Sequence, residues 1–177
     1  MTCERDRSVL LMIDLQERLM PQIAGSETVL RNARRLGEAA RLLGVPVLAT
    51  EQNPAGLGGN APEIAELAER TLAKNFFDAT REAGFESFLP ADRPGIVVAG
   101  CETHVCVMQT VLGLLDRGYA ITLVTDAVGS RTEANRDAAL ARAKAHGAEL
   151  VTTEMVVFEW LETSDHPRFR EALRLVK

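Results

Sequence analysis

The residue of this chain best suited to covalent chemistry is a cysteine that follows an apolar run. Cys106 comes shortly after residues 96–99 (IVVA) and lies at the start of a segment with helical spacing. The first N–H groups of a helix have no intrahelical partner, and with the helix dipole they favour a thiolate over a thiol. A thiol after an apolar strand is also a common buried packing residue. The spacing therefore predicts either a nucleophile or a small core residue at Cys106.

Further polar side chains lie where other apolar segments end. Asp14 ends the run that begins at Ser8, and Lys74 ends a possible strand over residues 71–74. Further candidates follow the second and fifth strand-like segments, namely Glu51, Gln52 and Asp126. Ligands bind at the carboxyl ends of parallel strands. We therefore expect an acid, a lysine and a cysteine at one rim of a sheet.

Such a set of side chains can carry out acyl transfer. Cysteine is the strongest common nucleophile near neutral pH. Asp14 can accept its proton and return it to a leaving group, while Lys74 can hold Asp14 ionised and steady the thiolate. Backbone N–H groups in the 102–106 turn can bind a developing oxyanion. The alternatives are that Asp14 caps a turn and that Lys74 is a solvated surface charge.

Two residues close to Cys106 are poor candidates for bond-making. Residues one or two positions apart on a helix do not face each other, so His104 is expected at a pocket wall or on the surface. Cys101 and Cys106 do not form a CxxC motif and have no second cysteine pair, which argues against a zinc or redox site. With Cys3 the cysteine count is odd, which favours free thiols in a reducing cytosol.

The composition is that of one ordinary globular domain over residues 1–177. The chain has 46% hydrophobic and 25% charged residues and a net charge of -5, which argues against a nucleic-acid partner because phosphate contacts need clustered Lys and Arg. No apolar run approaches the roughly 18 residues of a membrane span. The first residues, Met1 to Arg7, do not resemble a signal peptide. We expect a cytoplasmic protein.

Strand-like and helical segments alternate along the chain. Strands are predicted over residues 8–15, 45–49, 71–74, 96–99, 120–124 and 149–152, and the longest helices over 26–43, 103–116 and 133–146. This alternation predicts an α/β fold, a three-layer Rossmann-like sandwich with a six-stranded, mostly parallel sheet. Right-handed crossovers would place helices on both faces of the sheet.

Several short motifs occur in an order that resembles the isochorismatase-like cysteine hydrolases. They are residues 13–16 (IDLQ), 50–52 (TEQ), 74–77 (KNFF), 100–107 (GCETHVCV), 114–118 (LLDRG) and 125–127 (TDA). The resemblance covers nearly the whole chain and is closest to the isochorismatase domain-containing proteins. The ordered combination is specific, whereas any one of these motifs alone would be weak.

The resemblance implies a catalytic triad of Asp14, Lys74 and Cys106 and a homo-oligomer. It also implies a cis peptide bond from Cys101 to Glu102, which would turn the Glu102 N–H toward an oxyanion beside the Cys106 N–H. The candidate pocket residues are Gln16, Leu19, Gln52, Phe76, Phe77, Thr103 and His104.

The departures from that family narrow the expected chemistry. Nicotinamidases of the superfamily bind a metal through an Asp and several His after the second strand, but this region reads Glu51, Gln52, Asn53, Pro54. We therefore expect no metal and no other cofactor. Cys106 favours acyl transfer on a small amide over vinyl-ether cleavage of the isochorismate type. A catalytically idle binding or assembly module, with apolar contacts at Phe158, Trp160 and Leu161, is the other alternative.

Overall fold

The computed structural model describes residues 3–177. The prediction that residues 1–7 are not a signal peptide therefore falls partly on Met1 and Thr2, which lie outside the described residues. Within that range six strands form one sheet in the order β3-β2-β1-β4-β5-β6, and every neighbouring pair is parallel. The strands are β1 (Ser8–Ile13), β2 (Val47–Gln52), β3 (Arg70–Lys74), β4 (Gly95–Cys101), β5 (Ala120–Gly129) and β6 (Glu149–Val151). The predicted fold class is confirmed.

The two central strands read as apolar runs because both of their faces are covered. All residues of β1 are buried, as is β4 beyond its first residue. Their alternate side chains enter two apolar clusters on opposite faces, one around Leu10 and Val97 and the other around Leu11 and Val98. A strand buried on both faces is typical of parallel sheets.

Helices cover both faces of this sheet. One face carries α1 (Ser26–Leu43), α7 (Thr153–Leu161) and α8 (Phe169–Val176), which pack on one another. The other carries α4 (Phe85–Phe88), α5 (Met108–Asp116) and α6 (Glu133–Ala145). Two short helices, α2 (Pro54–Leu57) and α3 (Pro62–Ala65), connect β2 to β3. Short 3-10 turns span Arg5–Arg7, Met20–Gln22 and Ala79–Arg81, and a π-helical turn spans Thr103–Val107.

Several element boundaries differ from the predicted ones, and three of these differences move a polar residue. Strand β1 ends at Ile13, so Asp14 lies just beyond it with a left-handed φ of 51°. Strand β2 extends to Gln52 and therefore contains Glu51. Strand β5 continues through a register shift and contains Asp126. Boundaries of this kind depend on pairing with neighbouring strands, which local patterning does not encode.

The carboxyl ends of β1 and β4 approach each other closely because of one glycine. Gly100 pairs with Ile13 and has a φ of 132°. A Cβ at Gly100 would clash with the backbone of Ile13. Only glycine fits there, and the close approach brings the loops after β1 and β4 together.

Of the three late-helix residues suggested as an oligomer contact, two pack inside the chain and one is exposed. Trp160 and Leu161 are 0% and 1% exposed and pack inside the chain, whereas Phe158 is 39% exposed. The oligomer-contact alternative is therefore wrong for Trp160 and Leu161, because both belong to the core cluster between α7 and the sheet. Among residues 3–177, no helix combines the length and apolarity that crossing a bilayer requires.

Candidate active site

The candidate site lies at the topological switch point of the sheet. Strands β1 and β4 are neighbours, but the chain leaves β1 toward β2 on one side and leaves β4 toward β5 on the other. A crevice forms where the chain direction reverses in this way. Asp14 directly follows β1, and Cys106 lies in the π-helical turn after β4.

Asp14 and Lys74 form a fully buried ion pair. Lys74 Nζ donates to Asp14 Oδ2 at 2.7 Å, and both side chains are 0% exposed. The second carboxylate oxygen accepts from Thr50 Oγ1 at 2.6 Å, and Lys74 Nζ also donates to Gln52 Oε1 at 2.7 Å. Buried charges need such partners, so the ion pair is held in one geometry. The prediction that Lys74 and Asp14 converge holds, and the alternative that Lys74 is a solvated surface charge is wrong.

Cys106 lies beside this pair as a buried thiol. Its Sγ is 3.9 Å from Gln52 Oε1, the oxygen that also accepts from Lys74. Burial raises the pKa of the Cys106 thiol to about 12, the Asp14 carboxylate adds to the rise, and Lys74 opposes it. This direction is opposite to the one expected from the helix start alone. Desolvation and the Asp14 carboxylate together outweigh the ammonium group of Lys74.

The turn before Cys106 has an unusual backbone. The peptide bond from Cys101 to Glu102 is cis, and the Glu102 carbonyl accepts from Val105 N at 3.1 Å and Val107 N at 3.2 Å. Outside the regular elements of residues 3–177, no backbone hydrogen bond uses the Glu102 N–H as its donor. The predicted continuous helix from Thr103 instead begins with the π-helical turn, a feature frequent at functional sites.

The side chain of Gln16 is buried and forms hydrogen bonds to backbone groups next to the site. The side chain is 0% exposed, and its Nε2 donates to the carbonyl oxygens of Gln52 (3.1 Å) and Gly58 (2.6 Å). Its Oε1 accepts from Gln52 N at 2.8 Å. The Gln16 amide is thus occupied by backbone groups and fixes the end of β2. Leu19 is half-buried and packs against the core cluster.

The remaining predicted pocket residues differ in how far their side chains are exposed. Phe76 and Phe77 are 44% and 51% exposed, and the Phe76 ring lies under the Arg81 guanidinium at 4.9 Å. His104 Nδ1 is 3.0 Å from Ser130 Oγ. Thr103 is 1% exposed, and its Oγ1 has no hydrogen-bond partner among residues 3–177.

Other polar candidates from the sequence serve structural roles. Glu51 Oε1 accepts from Asn60 N at 2.8 Å, and Asp126 Oδ1 accepts from the N–H and hydroxyl of Thr153 at the start of α7.

Burial raises the pKa of the Cys101 thiol. Among residues 3–177 there is no cluster of three or more His, Cys, Asp or Glu side chains suited to a metal ion.

A separate cavity of about 160 Å³ opens at the opposite, amino ends of the strands. Its lining includes Cys3, Ser8 and Gly95 but neither member of the buried ion pair. Burial raises the pKa of the Cys3 thiol as well. The ion pair therefore lies near Cys106 and not near Cys3.

Sequence reasoning missed two contributors to the site. Thr50 is the hydroxyl donor to Asp14, and its signal is a buried polar residue directly after the three apolar residues that begin β2. Arg131 donates from Nε to Glu102 Oε1 at 2.7 Å. Its position 29 residues away, in the loop after β5, offers no local signal.

Comparison with known proteins decides the family. A family model described as the isochorismatase domain matches residues 8–155. The chain belongs to the isochorismatase family. Human isochorismatase domain-containing protein 2 is 37% identical over 170 residues, which cover 96% of this chain and 83% of that protein.

Solved structures of the family have the same fold. The structure titled MAR1 ribonuclease from Caenorhabditis elegans has a TM-score of 0.94 and 35% identity, with 99% of this chain and 92% of that chain covered. YcaC from Pseudomonas aeruginosa, titled as holding hexane-2,5-diol and covalent acrylamide, has a TM-score of 0.91 and 26% identity, with 98% of this chain and 91% of that chain covered. Membership in this isochorismatase-like cysteine hydrolase family identifies the chain as a hydrolase.

Proposed function

We propose that this isochorismatase-family chain hydrolyses a small amide or related acyl compound through a thioester on Cys106. The observation that carries the proposal is the buried ion pair of Asp14 and Lys74, joined at 2.7 Å with both side chains 0% exposed. A buried, charged pair is costly to maintain, and burial with a specific charge partner is typical of functional sites. Lys74 and Cys106 both contact Gln52 Oε1, at 2.7 and 3.9 Å, and this proximity supports a role for the ion pair in the chemistry of Cys106.

The first half of the reaction transfers the acyl group to sulfur. Asp14 accepts the S–H proton as the sulfur attacks the carbonyl carbon. The carbonyl oxygen becomes an oxyanion, which accepts hydrogen bonds from the backbone N–H groups of Glu102 and Cys106. When the tetrahedral species collapses, the C–N bond breaks and Asp14 donates its proton to the departing amine. A thioester on Cys106 remains.

The second half releases the acid. Asp14, again a carboxylate, accepts a proton from water as the water oxygen attacks the thioester carbonyl. The C–S bond breaks, the proton returns from Asp14 to sulfur, and the carboxylic acid leaves. Lys74 keeps Asp14 ionised between the two halves and balances negative charge as it develops.

The raised pKa of Cys106 supports proton transfer during attack rather than a preformed thiolate. A neutral thiol beside an ionised carboxylate needs only a carbonyl carbon within reach to begin the reaction. Asp14 therefore takes the proton of the Cys106 thiol only once the substrate is bound. This order of events follows from burial, which disfavours a second buried negative charge next to Asp14.

The substrate would lie between the turn of Cys106 and the loop after β3. Candidate contacts are Leu19, Gln52, Phe76, Phe77, Thr103 and His104. The Thr103 hydroxyl has no hydrogen-bond partner within the part of the chain that the structure describes, which supports a polar substrate group there, because buried polar atoms normally have partners. Gln16 acts as a positioning residue in this proposal, since its amide holds Gln52.

A panel of amides and activated esters tests the proposal. The chain, a Cys106→Ala variant and a matched Cys3→Ala control are compared, and trapped acyl groups are located by peptide mass spectrometry. Acrylamide is included because the YcaC structure is titled with that compound bound covalently. Acyl or acrylamide adducts on Cys106, with turnover lost only in Cys106→Ala, support the thioester route. Turnover that survives Cys106→Ala would refute it.

The same experiment separates the competing functions. Isochorismate-type vinyl ethers test ether cleavage, and inert behaviour of Cys106 toward every electrophile would favour the idle module. RNA belongs in the panel because the C. elegans relative is titled a ribonuclease. The net charge of -5 argues against phosphate binding, so we predict no RNA cleavage. A homo-oligomer in solution, a cytoplasmic location and independence of metal or other cofactors also remain predictions.

A further inference from the structure

The loop after β5 is bonded to the turn that carries Cys106 at two points. Arg131 Nε donates to Glu102 Oε1 at 2.7 Å, and Ser130 Oγ lies 3.0 Å from His104 Nδ1. The family assignment and the triad explain neither contact. They connect the loop to the two residues that flank Thr103 in the turn.

The backbone on both sides of Arg131 is anchored. Ser130 is 2% exposed, and its carbonyl accepts from Ala24 N at 3.0 Å. Thr132 caps α6 by accepting from Asn135 N at 3.3 Å. Arg131 therefore projects from a fixed point, and its contact with Glu102 can orient the turn.

The negative charge of the Glu102 side chain would disfavour an oxyanion at the neighbouring backbone N–H. The residue offers its N–H to the developing negative charge in the proposed mechanism, yet its carboxylate lies one side-chain length away and is 13% exposed. Burial raises the pKa of the Cys101 thiol and the Glu102 carboxylate adds to the rise, so this charge acts on the end of β4 beside the turn. An unpaired carboxylate there would oppose the oxyanion through a partly desolvated path.

We propose that Arg131 is a positioning residue that neutralises the Glu102 carboxylate and holds the Glu102 N–H on the oxyanion. The proposal rests on the thioester mechanism proposed above. Arg131 acts through Glu102 and need not touch substrate. The requirement is specific to reactions that develop charge on a carbonyl oxygen.

Two reagents separate this role from a structural one. Acyl transfer from p-nitrophenyl acetate to Cys106 passes through a tetrahedral oxyanion, whereas alkylation by iodoacetamide displaces iodide and forms no oxyanion on the enzyme. The variants are Arg131→Met, Glu102→Gln, their combination and Arg131→Lys. The matched control is Arg34→Met, which also removes one exposed ion pair, that with Glu38 at 2.8 Å.

Arg131→Met should slow acylation of Cys106 by about 10- to 100-fold, equivalent to about 1.4 to 2.7 kcal/mol of transition-state stabilisation. The loss should appear in kcat, with KM nearly unchanged. Iodoacetamide alkylation should change less than about threefold. Adding Glu102→Gln should restore most of the rate because the unpaired charge is gone, and Arg131→Lys should keep part of it. Arg34→Met should match the unaltered chain.

Three results would overturn the positioning role. The first is a combined variant as slow as Arg131→Met, and the second is an equal loss with iodoacetamide; both indicate structural damage. The third is a rise in KM alone, which would make Arg131 a substrate contact. If neither reagent modifies Cys106 in the unaltered chain, the thioester mechanism itself fails and the role of Arg131 falls with it.

Discussion

Replacement of Asp14 by Asn should make Cys106 more reactive toward alkylating agents while abolishing hydrolysis. Burial raises the pKa of this thiol to about 12 and Asp14 adds to the rise. At pH 7.5 such a thiol is ionised to about 1 part in 30,000. An ordinary cysteine with a pKa of about 8.5 is ionised to about one part in ten.

The expected rates follow from this difference in ionisation. A thiolate of higher pKa is intrinsically more nucleophilic, by about 0.4–0.5 logarithmic units per pKa unit. The native chain should therefore react about 100-fold more slowly at Cys106 than the unfolded chain does. A unit charge at about 4 Å is worth about 4 kcal/mol at an effective dielectric constant of 20, or about three pKa units. Asp14→Asn should accordingly accelerate alkylation by about 50-fold at pH 7.5.

The assay is the rate of iodoacetamide modification between pH 6 and pH 10, quantified on the Cys106 peptide. The same protein in urea supplies the unfolded reference, and Cys101, whose pKa burial also raises, is an internal slow thiol. An Asp14→Asn chain that reacts no faster than the native one would refute the electrostatic reasoning. A native midpoint near 8.5 would refute the assignment of a neutral resting thiol.

Three further outcomes are expected. Lys74→Met should lower the free energy of unfolding by about 3–5 kcal/mol in urea titrations because a buried carboxylate loses its partner, and adding Asp14→Asn should recover much of that loss; a loss under about 1 kcal/mol would contradict this. Gly100→Ala should cost about 3 kcal/mol or more in the same titration, whereas Gly25→Ala, with a positive φ but open space, should cost about 1 kcal/mol. Thr103→Val should leave the melting temperature unchanged yet slow turnover, because its hydroxyl has no partner among residues 3–177; unchanged turnover would exclude a substrate contact.

The convergence of Asp14, Lys74 and Cys106 could be predicted because it depends on sheet topology. Each residue follows or ends a strand, and parallel strands present these ends at one rim. Periodicity and strand length sufficed to infer that rim. The single-domain extent over residues 1–177 remains a prediction of the same kind.

The direction of the pKa shift of the Cys106 thiol could not be predicted, because it depends on how deeply the fold buries the sulfur. The helix start and Lys74 both favour a thiolate, but the sequence does not reveal how far water is excluded from the sulfur. Gln16 shows the same limit: its type suits a substrate contact, yet its amide binds the backbone of Gln52 and Gly58. The direction of a loop side chain is set by contacts distant in sequence.

The burial of Cys106 has a consequence for the lifetime of the protein. Peroxides oxidise thiolates far faster than thiols, and susceptibility follows thiolate character and exposure. Cys106 is 6% exposed and its pKa is raised to about 12. The proposed nucleophile should therefore survive oxidative stress that inactivates enzymes with permanently ionised cysteines.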